Sequence, residues 1–290
     1  MTTRNIEQIL TPKSFMWVGD AFYTTSFVGK EIPRERMSPF FAVGYNPDYE
    51  FTPKKVPRGV GGHPHKGFET VTIAYKGKIA HKDSAGNEGV IAEGDVQWMT
   101  AGAGIMHEEY HEKEFSKKGG IFQMVQMWVN LPAKNKETPP RYQDLFLKDM
   151  TQVPVGDDGS FINVIAGEYN GQKGKASTFS PIHLYNAYLN KEVKATFTFP
   201  NDYNTAILII EGGIRVNDEK EIKKDGFAMF ENNKGDSFVL EALSNNTIVL
   251  IMSGQPLNEP IAHYGPFVMN TQEQLKQAFA DFESGKFGRL

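Results

Sequence analysis

The stretch GGHPHKGFETVTIAYKG, residues 61–77, determines the fold class that the sequence predicts. In its second half every other residue is large and apolar, namely Val71, Ile73 and Tyr75. Alternation with a period of two is typical of a strand whose two faces differ. Two histidines precede this strand and Gly77 ends it, so the stretch predicts a strand with an imidazole pair near its beginning.

Other short apolar runs lie on both sides of this stretch, and Gly, Asn, Asp and Pro separate them. Turns are predicted at 83–87 and at 92–95, and a further strand at 120–132. One face of that strand carries Phe122, Met124, Gln126 and Trp128, whose apolar members are predicted to lie in the core. Many short strands with closely spaced turns indicate an all-β sandwich or barrel.

The second half of the chain has the same style, with predicted strands at 195–200, 205–217, 236–243 and 246–254. Thr205–Gly212 resembles Thr70–Gly77, which predicts that the second half repeats the architecture of the first. The positions that match the two histidines by their distance from the glycine are Thr198 and Pro200. A repeated domain would therefore lack the imidazole pair.

Proline marks the predicted boundary between the halves, because Pro139 and Pro140 interrupt regular structure within a polar segment. We therefore predict an N-terminal domain at 1–132, a linker at 133–142 and a C-terminal domain at 143–290. The end of the chain differs from the rest, since TQEQLKQAFADFESG at 271–285 has apolar residues at helical spacing. Thr271 and Gln274 fit a capping box, so we expect one short C-terminal helix lying on a sheet.

Composition limits the classes of function that remain open. The 290-residue chain carries a net charge of −4, which does not favour direct binding of nucleic acid. It contains no cysteine, and this excludes disulfides, thiolate metal sites and thiol nucleophiles. No apolar run predicts a signal peptide or a membrane span. We expect a cytoplasmic monomer, since two barrels in one chain can pack on each other.

Two pairs of side chains have the spacing of metal ligands. Residues i and i+2 of a strand face the same side, so His63 points with His65, and His107 points with Glu109. Pro64 cannot donate to a sheet ladder, which places its strand at an edge or at a strand start. Three imidazoles and a carboxylate suit iron, nickel, copper, manganese or zinc better than calcium or magnesium. Four protein ligands on an octahedral ion would leave two positions for water, oxygen or a chelating substrate.

The remaining candidates are weaker. His81 is predicted to be a loop histidine, and His111 lies in a charged run that is typical of a solvated loop. His183 and His263 have no acid or second imidazole two residues away. Glu69 is the main rival ligand, and its alternative role is to accept a hydrogen bond from a ligand.

The motifs HPHKGFET, GDVQWMTAGAGIMHEE, QMWVNLP and NEPIAHYGPFVMNT together resemble the pirin family of the cupin superfamily. The resemblance implies two tandem antiparallel cupin barrels of jelly-roll type in one chain, with metal only in the N-terminal one. It implies His63, His65, His107 and Glu109 as iron ligands, whereas general cupins would use Glu69. FFAVGYNPDYEF, residues 40–51, stands where family members have a more acidic segment with Asp and His.

The resemblance implies two kinds of function. One is a metal-dependent oxidoreductase of the quercetin 2,3-dioxygenase type, with Fe(II) as the metal and Ni, Mn, Cu or Zn as alternatives. In it, Glu109 would be the catalytic base that accepts the flavonol proton. The other is a non-catalytic iron-binding redox sensor that acts through a protein partner. An unrelated small-molecule substrate is a third interpretation, because the residues that bind substrate cannot be placed from the strand pattern.

Overall fold

The computed structural model describes all 290 residues, which form 26 strands, two α-helices and three short 3₁₀-helices. The first twelve strands are β1 Ile6–Leu10, β2 Met16–Val18, β3 Phe22–Ser26, β4 Phe40–Phe51, β5 Gly59–His65, β6 Phe68–Lys76, β7 Ile79–Asp83, β8 Glu88–Ile91, β9 Val96–Thr100, β10 Ile105–His111, β11 Gly120–Asn130 and β12 Arg141–Leu145. The others are β13 Thr151–Pro154, β14 Phe161–Ala166, β15 Glu168–Tyr169, β16 Gln172–Lys173, β17 Ile182–Leu189, β18 Lys194–Thr198, β19 Asn204–Glu211, β20 Gly213–Val216, β21 Lys220–Lys223, β22 Phe227–Phe230, β23 Ser237–Ala242, β24 Thr247–Gly254, β25 Ala262–Tyr264 and β26 Phe267–Met269. The helices are α1 Lys113–Lys118 and α2 Gln272–Glu283, and the 3₁₀-helices are Arg34–Met37, Ala133–Asn135 and Leu147–Asp149.

The chain forms two compact units, and each is a cupin barrel made of one seven-stranded and one four-stranded antiparallel sheet. The first barrel consists of residues 14–35, 39–147 and 257–290. The second barrel consists of residues 1–13, 36–38 and 148–256. The predicted all-β fold with two repeated domains and a C-terminal helix is confirmed. Neither α-helix has the length and hydropathy that crossing a bilayer requires.

The boundaries between the barrels differ from the predicted ones. The N-terminal end of the chain belongs to the second barrel, and the C-terminal end belongs to the first. Strand β1 pairs with β22 of the second barrel, and β25, β26 and α2 pack with one another in the first. The segment 133–142 is not a linker, since β12 continues it and pairs along β9 of the first barrel. Pro140 directly precedes β12, at the place where a missing amide proton removes no ladder bond.

The first barrel has the sheet orders β12-β9-β6-β11-β4-β3-β2 and β5-β10-β7-β8. Register defines which side chains share its interior, because cross-strand partners lie on the same face. Gln126 and Trp128 of β11 are paired with Gly44 and Ala42 of β4. These four residues are half-buried, whereas the residues between them are fully buried, namely Val43, Val125 and Met127. The interior face of this sheet is therefore the more accessible one.

The second barrel has the sheet orders β1-β22-β19-β24-β17-β14-β13 and β18-β23-β20-β21. A single apolar cluster contributed by both sheets fills the space between them. Its centre is aromatic, with Phe230 and Phe238 stacked at 4.1 Å between ring centroids and Phe197 at 5.5 Å from Phe238. Thr198, which matches one histidine of the first barrel by position, ends β18 and is exposed.

Helix α2 begins and ends where the sequence predicts. Thr271 Oγ1 accepts a hydrogen bond from the Gln274 amide, and the Gln274 side chain accepts one from the Thr271 amide. This reciprocal pair is the predicted capping box. The buried face of the helix carries Leu275 and Ala278, which pack with Phe267 of β26.

Candidate metal centre

Strands β5 and β10 bring three of the predicted ligands together. His63 and His65 lie on β5, which is the edge strand of its sheet, as the proline between them predicts. His107 lies on β10 and is the direct cross-strand partner of His63. The ligand atoms of the three imidazoles all lie within 4.8 Å of one another. Two features are therefore sufficient to build the cluster. Alternation along β5 places His63 and His65 on one face, and the antiparallel register places His107 opposite His63.

The three rings are packed closely without bonding to one another. Ring centroids are 4.2 Å apart for His63 and His107, 4.7 Å for His65 and His107, and 4.9 Å for His63 and His65. His65 Nδ1 and both nitrogens of His107 are buried and have no hydrogen-bond partner in the protein. His63 Nδ1 lies 2.8 Å from the Gly61 carbonyl oxygen, and this contact leaves Nε2 as the nitrogen with a free lone pair.

His65 and His107 are held in the form that binds a metal. Burial, with a smaller contribution from the nearby His63, lowers the pKa of His65 to about 3. Burial also lowers the pKa of His107 well below its ordinary value, with smaller contributions from the neighbouring histidines. A neutral imidazole offers its lone pair to a metal ion, whereas a protonated one cannot. The unpartnered nitrogens of His65 and His107, together with Nε2 of the half-buried His63, therefore fit a transition metal ion.

Glu109 lies beside this cluster and is held by a different partner. The pairing of β10 with β5 shifts register here because β5 carries one extra residue between Val60 and His63, so β10 itself keeps the regular alternation that puts His107 and Glu109 on one face. Gln126 Nε2 donates to both carboxylate oxygens, at 2.8 and 3.0 Å. Burial raises the pKa of Glu109, while the bond from Gln126 and the nearby His63 act in the opposite direction. The carboxylate is thus oriented by Gln126, and it is not among the donors grouped within 4.8 Å.

Glu69 faces away from the histidines. Its neighbour Phe68 packs against the His65 ring at 5.0 Å, and Thr72 accepts a hydrogen bond from Gln126. Phe68 and Thr72 therefore face the interior, and alternation places Glu69 on the opposite side of β6. There its carboxylate accepts a bond of 2.6 Å from Thr100 Oγ1. The rival ligand predicted for general cupins is not part of this cluster.

Two further histidines are placed differently from the predictions. His81 is not in a loop, because it lies within β7, is buried, and stacks on the Tyr142 ring at 4.7 Å. His111 is not solvated, since it ends β10 in the core, and its Nε2 lies 3.1 Å from the Ala21 carbonyl oxygen. Both strands extend further than the turn and charge signals predict, because cross-strand pairing continues through those residues.

The other two histidines are distant from the cluster in the chain and have local partners. His183 Nδ1 lies 2.8 Å from the Tyr185 hydroxyl in the second barrel. His263 Nε2 lies 3.0 Å from the Gly265 carbonyl oxygen, and its ring lies 4.9 Å from that of Phe41. Neither belongs to a group of metal-binding side chains.

Three aromatic side chains, Phe41, Phe68 and Trp128, form a group beside His65, which we call the aromatic wall. Trp128 packs its edge against His65 at 5.3 Å and stacks on Phe68 at 4.3 Å. The Phe41 ring lies parallel to the Trp128 ring, with 6.3 Å between the ring centroids. Gln126 and this wall were not predicted as parts of the site. An amide facing inward from an otherwise apolar strand is the sequence signal that would have found Gln126.

Comparisons with known proteins agree with this geometry. The pirin family model matches residues 22–129, and the model of the pirin C-terminal cupin domain matches residues 184–288. The chain belongs to the pirin family. A relative from Pseudomonas aeruginosa named "Putative quercetin 2,3-dioxygenase" is 42% identical over 274 residues, which cover 94% of each chain.

Two solved structures resemble most or nearly all of the chain. The crystal structure of a quercetin 2,3-dioxygenase from Acinetobacter baumannii has a TM-score of 0.92, with 44% identity and 98% of each chain covered. A bacterial pirin from Escherichia coli, crystallised in complex with nickel(II), has a TM-score of 0.65. It shares 19% identity with 86% of this chain and all of its own, so this likeness concerns the fold.

Proposed function

We propose that this pirin is a metal-dependent dioxygenase of the quercetin 2,3-dioxygenase type. The observation that carries the proposal is the cluster of three imidazoles, two of them buried and neutral, whose ligand atoms lie within 4.8 Å of one another. The names of the Pseudomonas and Acinetobacter relatives supply the substrate class, a flavonol. In the proposed reaction both atoms of dioxygen enter the flavonol, its central ring opens, and carbon monoxide leaves.

His63, His65 and His107 would hold the metal, which we propose to be Fe(II), with Ni, Mn, Cu or Zn as alternatives. A bound ion of this class supplies Lewis acidity, which lowers the pKa of a coordinated hydroxyl group and orients the substrate. The hydrogen bond from His63 to Gly61 fixes one ring and its tautomer, as partners of ligating histidines commonly do. The aromatic wall beside His65 limits access of water to the reacting oxygens.

Glu109 is the residue we propose for proton transfer, and the fourth metal ligand predicted from the family. Its carboxylate lies within the barrel beside the histidines, where a flavonol hydroxyl would be presented. Gln126 keeps the carboxylate in one orientation. It does not compete for the proton, because its amide nitrogen can only donate hydrogen bonds. One Glu109 oxygen would thus take the hydroxyl proton while Gln126 remains bound to the group.

The test is aerobic turnover of quercetin by protein loaded separately with each candidate metal. We expect the flavonol absorbance to disappear with release of carbon monoxide in at least the iron-loaded protein. Glu109→Gln should abolish turnover while metal is largely retained, because the amide cannot take a proton. Turnover of this variant at the parent rate would contradict the role of Glu109. Absence of turnover with every metal would contradict the dioxygenase and favour the non-catalytic redox sensor.

A further inference from the structure

Arg34 is a cation that the protein leaves without an acidic contact. Its guanidinium carbon lies 4.5 Å above the centroid of the Phe41 ring. It forms no salt bridge or hydrogen bond, and the charge acting on it is that of its chain neighbour Glu35. Arg34 is half-buried, and this burial lowers the pKa of its guanidinium. A half-buried guanidinium with free donors is a ready partner for an oxyanion.

His263 shares this location. Its ring meets the Phe41 ring edge-on at 4.9 Å, and its Nε2 is engaged with the Gly265 carbonyl oxygen. Burial lowers the pKa of His263, and the positive charge of Arg34 lowers it further, so the two groups lie within electrostatic range. Two nitrogen-bearing side chains thus converge on one aromatic ring at an accessible part of the first barrel.

The same ring connects these residues with the metal centre. Phe41 lies parallel to Trp128, and Trp128 in turn packs against His65. The cross-strand neighbours of Trp128 and Gln126 are the small residues Ala42 and Gly44, and all four are half-buried on the interior face. A planar ligand would follow this series of contacts, past the two positions without bulky side chains. One end of it would be at the histidines and the other at Arg34.

We propose that Arg34 and His263 form the distal half of the substrate site. They would bind a phenolic or anionic oxygen at the far end of a planar aromatic ligand whose chelating oxygens lie at the three histidines. The inference rests on the proposed function and specifies its substrate class. It predicts selection for aromatic compounds that carry an oxygen substituent remote from the chelating pair.

Two flavonols separate the roles of the two ends. Quercetin and 3-hydroxyflavone have the same chelating hydroxyl and carbonyl, but only quercetin carries hydroxyl groups on its outer rings. Arg34→Met keeps an unbranched apolar stem over Phe41 and removes the charge and the donors. We expect it to raise the KM for quercetin about tenfold with kcat nearly unchanged, so that the ratio of the quercetin KM to the 3-hydroxyflavone KM rises. Arg34→Lys should restore part of the loss.

Arg58 provides a matched control, because its guanidinium carbon also lies over an aromatic ring, 5.3 Å from the centroid of Phe51. Unlike Arg34, it donates to Thr52. Arg58→Met should leave both KM values unchanged. Equal changes for the two flavonols in Arg34→Met, or no change for quercetin, would overturn the proposal.

Equilibrium binding distinguishes a failure of this inference from a failure of the dioxygenase. Quenching of tryptophan fluorescence by quercetin can be followed whether or not the protein turns it over. If no metal supports turnover, weaker quercetin binding by Arg34→Met than by the parent and by Arg58→Met would still support the distal site. Equal binding by all three proteins, or no binding by the parent, would overturn it.

Discussion

The two barrels of this pirin share one architecture and differ in what lies between their sheets. Each has a seven-stranded and a four-stranded sheet, and both interiors are largely withdrawn from water. Stacked phenylalanines fill the second barrel, among them Phe197, Phe230 and Phe238. The first barrel holds three imidazoles, a carboxylate and several polar atoms without partners, including both amide atoms of Gln97.

This difference shows that the shared architecture does not by itself produce a cluster of metal-ligating side chains. A close-packed apolar interior contributes stability through burial, whereas buried polar groups without partners oppose it. The first barrel therefore keeps an interior that is unfavourable for folding unless something binds there. We attribute its polar groups to the proposed metal site, whereas apolar side chains fill the space between the corresponding sheets of the second barrel.

Removing one imidazole is the most direct test of the difference between the two barrels, and it has the largest expected effect. We expect His107→Ala to lose bound metal almost completely, since a ligand contributes more than the ~10–100-fold in affinity typical of its outer partners. The measurement is metal content per chain by elemental analysis after incubation with Fe(II) and desalting. His183→Gln, in the second barrel, is the control and should retain the parent's metal content. Retention of metal by His107→Ala would show that the cluster is not the binding site.

The interiors can be compared by substituting one buried side chain in each barrel. Phe197→Ala in the second barrel should cost about 3–5 kcal/mol in the free energy of unfolding, because it leaves a cavity among close-packed rings. Gln97→Met in the first barrel should instead raise it by about 1–3 kcal/mol, because it replaces a buried amide without hydrogen-bond partners by an apolar side chain of similar size. Chemical denaturation of the metal-free variants measures both. Losses of equal size would mean that the two interiors are packed alike.

Much of the site was predictable because it depends on short-range rules. Alternation along β5 places His63 and His65 on one side, and Pro64 indicates an edge strand. The capping box of α2 is likewise written in adjacent residues. In each case the interaction joins residues within one element, so the sequence pattern contains all the information that is needed.

The parts that were missed depend on partners far apart in the chain. The pairing of β1 with β22 and the return of α2 to the first barrel follow from long-range sheet completion, which no local pattern specifies. Arg4 illustrates this, because it is buried in the second barrel by bonds to Pro200, Thr205 and Gly235. Gln126 was overlooked for the same reason, since its contact with Glu109 forms only when β11 of one sheet faces β10 of the other.

A buried acid offers a third comparison, because the barrels differ in charge at matching positions. Glu69 stands eight residues before Gly77, as the neutral Asn204 stands eight before Gly212. Burial raises the pKa of Glu69 to about 7, above its ordinary value of 4.5, with the bond from Thr100 opposing the shift. Between these values the folded state keeps a proton that the unfolded state has lost, so stability falls as pH rises.

The expected size of this fall is on the order of 3 kcal/mol between about pH 4.5 and pH 7, and it is complete above the folded pKa. Glu69→Gln should remove most of it, because an amide keeps an acceptor for Thr100 and does not ionise. Denaturant unfolding of the metal-free proteins at several pH values measures the difference. An unchanged pH dependence in the variant would show that Glu69 ionises normally in the folded protein.

The C-terminal helix gives the smallest and most local test, because it belongs to one barrel only. Thr271→Ala removes the side-chain oxygen that accepts from the Gln274 amide and should cost about 1 kcal/mol. Thr271→Ser keeps that oxygen and is the matched control. Since Leu275 and Ala278 pack with Phe267, hydrogen exchange should become faster in α2 and β26 of Thr271→Ala. Strands β17 and β24 of the second barrel should keep their protection, and equal acceleration there would show that the two barrels open as one unit.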